Sequence, residues 1–281
     1  MQPSARPAPV DVPPDVLELI RSAESVTAFT GAGMSAESGI PTFRDAQTGL
    51  WQRYSAEDLA SVDAWSRDPS LVWGWYQHRA RLVRAAEPND GHVALAMLAD
   101  RTPVEIVTQN VDDLHERAGS HVTAHLHGSL FAPRCRHCGT PYLGTDAVHT
   151  GDAPVAGLDA VHDLGDDDDP EHMRTAPPTC MHCLSEVRPG IVWFGEALPV
   201  DEWGRGEAAV LGADVVIAIG TSGVVHPAAR LPEVALAAGI PVIEVNPEET
   251  PLSESATVSW RATAATALPA LVAALNAAAP R

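Results

Sequence analysis

No apolar run in this chain reaches the roughly 18 residues that a membrane-spanning helix needs, so a membrane protein is not expected. Basic residues are scarce: 18 Lys and Arg stand against 37 Asp and Glu, a formal net charge of -19 over 281 residues. A field of that sign repels phosphate backbones, and direct nucleic-acid binding is not expected. It attracts basic protein segments such as lysine-rich tails, weakly at cellular salt. Residues 1-14 are rich in Pro and Ala and lack the apolar core of a signal peptide, and Asp11 and Asp15 argue against a transit peptide. They read as a disordered lead-in, and the cytoplasm is the expected compartment. Cysteine is limited to four residues in two Cys-x-x-Cys pairs, which without an export signal favours metal binding over disulfides. Repeats of solenoid length are missing.

What is present is a hydrophobic fraction of 45%, sufficient for a sizeable core in one large domain carrying a small insert. Four short, β-branched runs stand out. Ser25–Phe29 leads into Thr30-Gly-Ala-Gly33, Val104–Val107 into Thr108-Gln-Asn110, Asp214–Ile219 into Gly220-Thr-Ser222, and Val242–Val245 into Asn246-Pro247. Such runs predict buried strands. Helical stretches at Val93–Leu98, Glu207–Leu211 and Leu231–Ala238 separate them. The alternation predicts an α/β fold with a doubly wound parallel (Rossmann-like) sheet, whose ligands sit outside the carboxyl ends of the strands. Residues 15-47, 89-131 and 188-275 are assigned to that domain. A Trp- and Tyr-rich insert at 48-88, helical from Leu71 onward, and a cysteine-bearing insert at 132-187 are assigned to a smaller one.

Gly31-Ala-Gly33-Met-Ser-Ala36 fits G-x-G-x-x-G/A directly after a strand. The first glycine permits a tight turn, the second lets backbone approach a pyrophosphate, and the following helix aims its N-terminus at the negative charge. The acidic residue expected about 20 positions later in a ribose-gripping dehydrogenase is not convincingly placed. Cys135-x-x-Cys138 and Cys180-x-x-Cys183 flank 41 residues and suit a tetrahedral zinc with a closed, structural shell; redox pairs and free thiols are the other readings. Gly144–Thr179 carries nine acidic residues and one Arg and reads as a solvated loop.

The run from Gly31 to Trp51, GAGMSAESGIPTFRDAQTGLW, resembles the first signature of the sirtuin family of NAD-consuming protein-lysine deacylases. Thr108-Gln-Asn-Val-Asp112, His127-Gly128, both cysteine pairs, Val192-Trp-Phe-Gly-Glu196, Gly220-Thr-Ser222 and Val245-Asn-Pro247 follow in the family's order, over residues 15 to 275. The resemblance implies NAD with its pyrophosphate near Gly31, Ala32, Gly33, Ser35 and Ala36. Phe43 and Arg44 would cover the reacting ribose, with Gln109, Asn110 and Asp112 around the nicotinamide end. Gly220, Thr221, Ser222 and Asn246 would line the adenosine side, and Ala264 and Ala265 the adenine. His127 is implied as general base on a ribose hydroxyl, with Arg44, Asn110 and Asp112 as its catalytic companions; the match of Leu126-His127-Gly128 singles it out from His121 and His125. Val192, Phe194, Gly195 and Glu196 would form a strand edge that pairs with the substrate backbone. One structural zinc on the four cysteines, acyl-lysine proteins as partners and a monomeric state complete the implied picture.

Tyr76 and Arg79, three apart, share a helix face. A subset of sirtuins with Tyr-x-x-Arg here prefers succinyl-, malonyl- or glutaryl-lysine, and Ala56 and Ala60 match the small residues that leave room for the longer acyl group. Arg offers a planar fork to a distal carboxylate. The expected activity is therefore removal of acidic acyl groups with some deacetylation. A plain deacetylase, a mono-ADP-ribosyltransferase and a non-enzymatic NAD sensor are the alternatives.

Overall fold

The computed structural model describes residues 10–40, 59–143 and 174–277. Phe43, Arg44 and Ala56 lie outside them, as do residues 1–9 and most of the acidic segment.

The short Val- and Ile-rich runs become strands because branched side chains fit a pleated surface covered on both faces. β1 (Val26–Thr30), β2 (Val104–Thr108) and β3 (Val122–His125) are followed by an antiparallel pair, β4 (Gly128–Cys135) and β5 (Val187–Ile191). β6 (Val215–Ile219), β7 (Val242–Val245) and β8 (Val258–Trp260) complete a six-stranded sheet with the first three, in the order β3-β2-β1-β6-β7-β8. All its pairings are parallel, and every residue of β1 and β6 is buried. Thr30 lies beside Thr108 on one side and Ile219 on the other. The chain leaves β1 toward β2 and β3, then returns to β6, so the strand order reverses between β1 and β6. That reversal opens the crevice in which doubly wound sheets bind ligands.

Among the described residues the helices are α1 (Pro14–Ser22), α2 (Val62–Arg67), α3 (Pro69–Ala85), α4 (Asp90–Ala99), α5 (Leu114–Arg117), α6 (Val200–Leu211), α7 (Leu231–Ala237) and α8 (Ala264–Ala277). α3 starts where the Asp68 carboxylate accepts from Leu71 N at 3.0 Å with Pro69 in the first turn, and α4 where Asn89 accepts from Gly91 N at 2.9 Å. One face of the sheet packs Ala28, Ile217 and Ile243 against α1, α4 and α8 through Ile20, Leu95 and Leu271. The other packs Phe29 and Val216 against α6 and α7 through Val210 and Leu231. A third core lies apart, where Trp65, Trp75 and Tyr76 of α2 and α3 meet Leu130, Val187 and Ile191 of the antiparallel pair. No helix among the described residues is long and apolar enough to cross a membrane.

Two local expectations are corrected. The glycine turn is not followed by an α-helix: two 3-10 turns, Ala32–Met34 and Ala36–Ser38, end at Gly39 with φ 81. The next residue, Ile40, precedes a proline, which disfavours helical backbone there. Val192–Glu196 is not a strand. β5 stops at Ile191, and beyond it Glu196 N donates to Trp193 O at 2.9 Å, closing a turn with Gly195 at φ 86.

Candidate active site at the carboxyl edge of the sheet

The turn after β1 sits directly on the turn after β6. Gly31 N donates to Ile219 O at 3.0 Å and Gly33 N to Gly220 O at 2.8 Å. A Cβ on Gly33 would lie 2.7 Å from Gly220 Cα, and one on Gly220 2.5 Å from Gly33 C. Both glycines are therefore demanded by backbone packing against backbone, at the point where the strand order reverses.

A hydrogen-bonded chain fixes the segment after β2. Asn110 Nδ2 donates to Gly31 O and Ser35 Oγ, both at 3.1 Å, and Ser35 Oγ donates to Asp112 Oδ2 at 2.9 Å. Asp112 Oδ1 accepts from Leu114 N at 3.2 Å. All three side chains are buried, and burial pushes the Asp112 carboxyl above its usual range. Thr221 links three strand ends: Gln109 Nε2 donates to its Oγ1 at 3.0 Å, and Asn246 Nδ2 to its carbonyl at 2.8 Å. Ser222 follows half-buried. Ala264 is buried against Gly91 at the start of α8, where Ala265 N donates to the Glu37 carboxylate at 3.0 Å. This ties the first turn of α8 to the glycine turn.

The two neighbouring histidines have different partners. His127 Nδ1 lies 2.9 Å from Gln109 O. A carbonyl only accepts, so Nδ1 carries the proton and Nε2 is left as the basic nitrogen. Burial lowers the His127 pKa below 6.5, partly offset by that bond, which keeps the imidazole neutral and able to take a proton near neutral pH. For His125, burial also pushes down, but the Glu116 carboxylate 2.7 Å from Nε2 reverses the balance and raises its pKa.

Residues 192–196 form a wall beside His127. Val192 N donates to His127 O and Phe194 N to Ala60 O, both at 2.9 Å, while Phe194 and Gly195 are exposed. Glu196 turns away from that wall. Both its oxygens bind the Arg188 guanidinium, at 2.5 and 2.9 Å, and one also accepts from Trp193 N at 2.9 Å. Tyr76 and Arg79 lie one turn apart on α3. Tyr76 is fully buried, and burial pushes its phenol up to about 12 although the Arg79 charge pulls the other way. Arg79 Cζ sits 5.1 Å from the Trp75 ring centroid, and burial lowers its pKa against the fields of Tyr76 and Asp112.

The four cysteine sulfurs lie within 4.8 Å of one another, with Cys135–Cys183 at 3.4 Å, Cys138–Cys183 at 3.6 Å and Cys138–Cys180 at 3.8 Å. Four thiolates around zinc at about 2.3 Å stand about 3.8 Å apart, whereas a disulfide needs about 2.05 Å. The cluster fits a closed structural zinc site, and all four thiols are free of disulfides.

Sequence reasoning missed Arg188, Glu244 and the buried pair His92 and His115. Glu244 is at 0% exposure and accepts from Ser253 and Ser259 at 2.7 and 2.6 Å and from Arg261 at 3.1 Å. The signal was available for two of them: a lone charge inside an apolar run, as in Val187-Arg-Pro-Gly-Ile191 and Val242-Ile-Glu-Val245, demands a buried partner.

A glycine turn at the strand-order reversal, amide and hydroxyl side chains from three strand ends, and an imidazole with its basic nitrogen free of Gln109 define a dinucleotide-using α/β enzyme site. The chain belongs to the Sir2 family, whose profile matches residues 31–227. It is 47% identical over 264 residues to the NAD-dependent protein deacylase of Corynebacterium glutamicum, covering 93% of this chain and 95% of that one. It is 50% identical to the NAD-dependent protein deacylase Sir2 of Mycolicibacterium smegmatis over 88% of this chain and 95% of the relative. Among solved structures, a Sir2 homolog–NAD complex matches with TM-score 0.80 and 41% identity, covering 97% of both chains.

Proposed function

We propose that the protein is an NAD-dependent protein-lysine deacylase that prefers acyl groups ending in a carboxylate. The deacylase assignment is supported by the names of its relatives at 47 to 50% identity, and NAD use by the Sir2 homolog solved with that dinucleotide. When bound, NAD supplies an electrophilic ribose carbon and a nicotinamide leaving group. His127 takes a ribose hydroxyl proton at Nε2, with its Nδ1–H held by Gln109 O. Asn110 and Asp112, locked through Ser35, orient the ribose and nicotinamide. Phe194 and Gly195 offer the exposed edge of the 192–196 wall to the substrate backbone. O-acyl-ADP-ribose and free lysine are the remaining products.

The acyl preference rests on Arg79. A half-buried guanidinium one helical turn from a buried, protonated Tyr76 hydroxyl suits a carboxylate: a planar fork beside a neutral O–H donor. A second reading is favoured by the same geometry, because Arg79 also feels the charge of Asp112 and could serve that carboxylate in a plain deacetylase. Matched acetyl-, malonyl- and succinyl-lysine peptides, with nicotinamide and product followed by mass spectrometry, separate the two. Arg79→Met is expected to cut desuccinylation by about 100-fold, the loss of a charge-assisted bidentate contact, and to change deacetylation only a few-fold. An equal fall on all peptides would assign Arg79 to Asp112.

A further inference from the structure

The 192–196 wall is held from behind by one ion pair between a buried arginine and a half-buried glutamate. Arg188 enters from β5 with its side chain 9% exposed, and Glu196 meets it with both carboxylate oxygens. The same guanidinium donates to Ile191 O at 2.9 Å and lies with its Cζ 3.5 Å from the Trp193 ring centroid, while Trp193 stacks on Trp65 at 5.5 Å. Glu196 reaches back to Trp193 N. Four of the five residues of the wall are thus tied to something fixed: Val192 to His127 O, Trp193 to Arg188 and Glu196, Phe194 to Ala60 O, and Glu196 to β5.

We propose that Arg188 and Glu196 are positioning residues that clamp Val192–Gly195 in the conformation that receives the acyl-lysine peptide, and that Glu196 acts through Arg188 without touching substrate. This rests on the Sir2 reading of the wall as the substrate-facing segment. The reason is direction. One Glu196 oxygen is held by Arg188 and the other by both Arg188 and the Trp193 amide, so both oxygens are aimed at the protein's own turn. Loss of either partner strands a poorly solvated charge beneath the wall, and the two losses are one event.

The test is a double-mutant cycle on the intact zinc-loaded chain, with Glu196→Gln, Arg188→Met and the double variant, and Arg188→Lys as the conservative replacement. Each single change is expected to raise KM for the acyl-peptide by about tenfold, leaving kcat and the KM for NAD within about twofold. The double variant should be no worse than the worse single, and Arg188→Lys should recover part of the loss. A KM rise in Glu196→Gln without one in Arg188→Met would mean that Glu196 touches substrate itself and would overturn the clamp, as would losses that multiply in the double variant. Amide hydrogen exchange at residues 192–196 reads the clamp with no substrate present. Faster exchange in Glu196→Gln, and in Arg188→Lys if Arg188→Met does not fold, is expected; unchanged exchange overturns the proposal. Turnover of wild-type protein on no acyl-peptide would instead fail the deacylase reading, while the exchange data still decide the clamp.

Discussion

At the scale of single residues, His92 is a costly burial away from the substrate crevice. It is at 0% exposure, faces His115 at 4.9 Å between ring centroids, and neither of its ring nitrogens has a hydrogen-bond partner. His115 Nε2 lies 3.1 Å from Thr30 Oγ1, which donates to Thr108 Oγ1 at 2.8 Å, and that oxygen accepts from Asn110 N at 3.0 Å. The pair therefore backs the segment that carries Asn110. Burial drives His92 from 6.5 to about 4, with the Glu116 charge offsetting a little, and burial with the neighbouring His92 and His125 drives His115 well below 6.5. Because the folded pKa lies below the unfolded one, the native state binds fewer protons. The resulting stability is fully present above 6.5 and is lost as pH falls toward 4, on the order of 3 kcal/mol for His92 alone. His92→Phe removes two unsatisfied buried nitrogens and should raise stability at pH 7 by about 1–3 kcal/mol. Its melting temperature should also fall less steeply than that of wild type across the acid range. Melting curves that run parallel with pH would show that His92 is not the acid-sensitive group.

At the scale of elements, what could be read in advance follows from how each segment meets its neighbours. β1, β2, β6 and β7 were legible because each is a mostly apolar, β-branched run ending in small or polar residues. β3 and β8 were not, because Val-Thr-Ala-His and Val-Ser-Trp mix polar with apolar residues and are only partly buried. The β4–β5 pair was hidden by its own composition: β5 reads Val-Arg-Pro-Gly-Ile, and Arg, Pro and Gly all argue against a strand interior. Gly190 is nonetheless required there, since a Cβ would lie 1.9 Å from Ala132 O. The glycine turn, His127 and the cysteine pairs were readable as motifs, whereas the inward turn of Glu196 was not, because it depends on an arginine from the preceding strand. The cysteine knuckles close this same pair of strands: Cys135 ends β4, and Cys180 N donates to Ser185 O at 2.8 Å just before β5. Zinc should therefore fix the base from which Arg188 and the 192–196 wall project. Elemental analysis is expected to find one zinc per chain, and chelation to lower the melting temperature and raise the acyl-peptide KM. A purified active protein without zinc would remove the metal from the account.

At the scale of the whole molecule, the net charge of -19 acts on substrates of opposite character. The NAD phosphates must be held against it, so binding relies on local donors at the glycine turn and the strand ends. A protein segment rich in lysine and arginine is drawn in by the same field, and on the proposed function the exposed Phe194–Gly195 edge would read its backbone more than its side chains. On the proposed function, selection of targets would then be divided: the acyl group would be chosen at Tyr76 and Arg79, and the flanking sequence by long-range charge. Long-range attraction is screened as the Debye length shrinks from roughly 10 Å at about 0.1 M salt to roughly 3 Å at about 1 M. Across that range, KM for an acyl-peptide flanked by lysines and arginines should rise several-fold with kcat unchanged, while KM for the same acyl-lysine flanked by alanine and serine stays level. If the two peptides respond alike, the field plays no part in choosing substrates, and selection falls to the contacts of the wall and the acyl pocket.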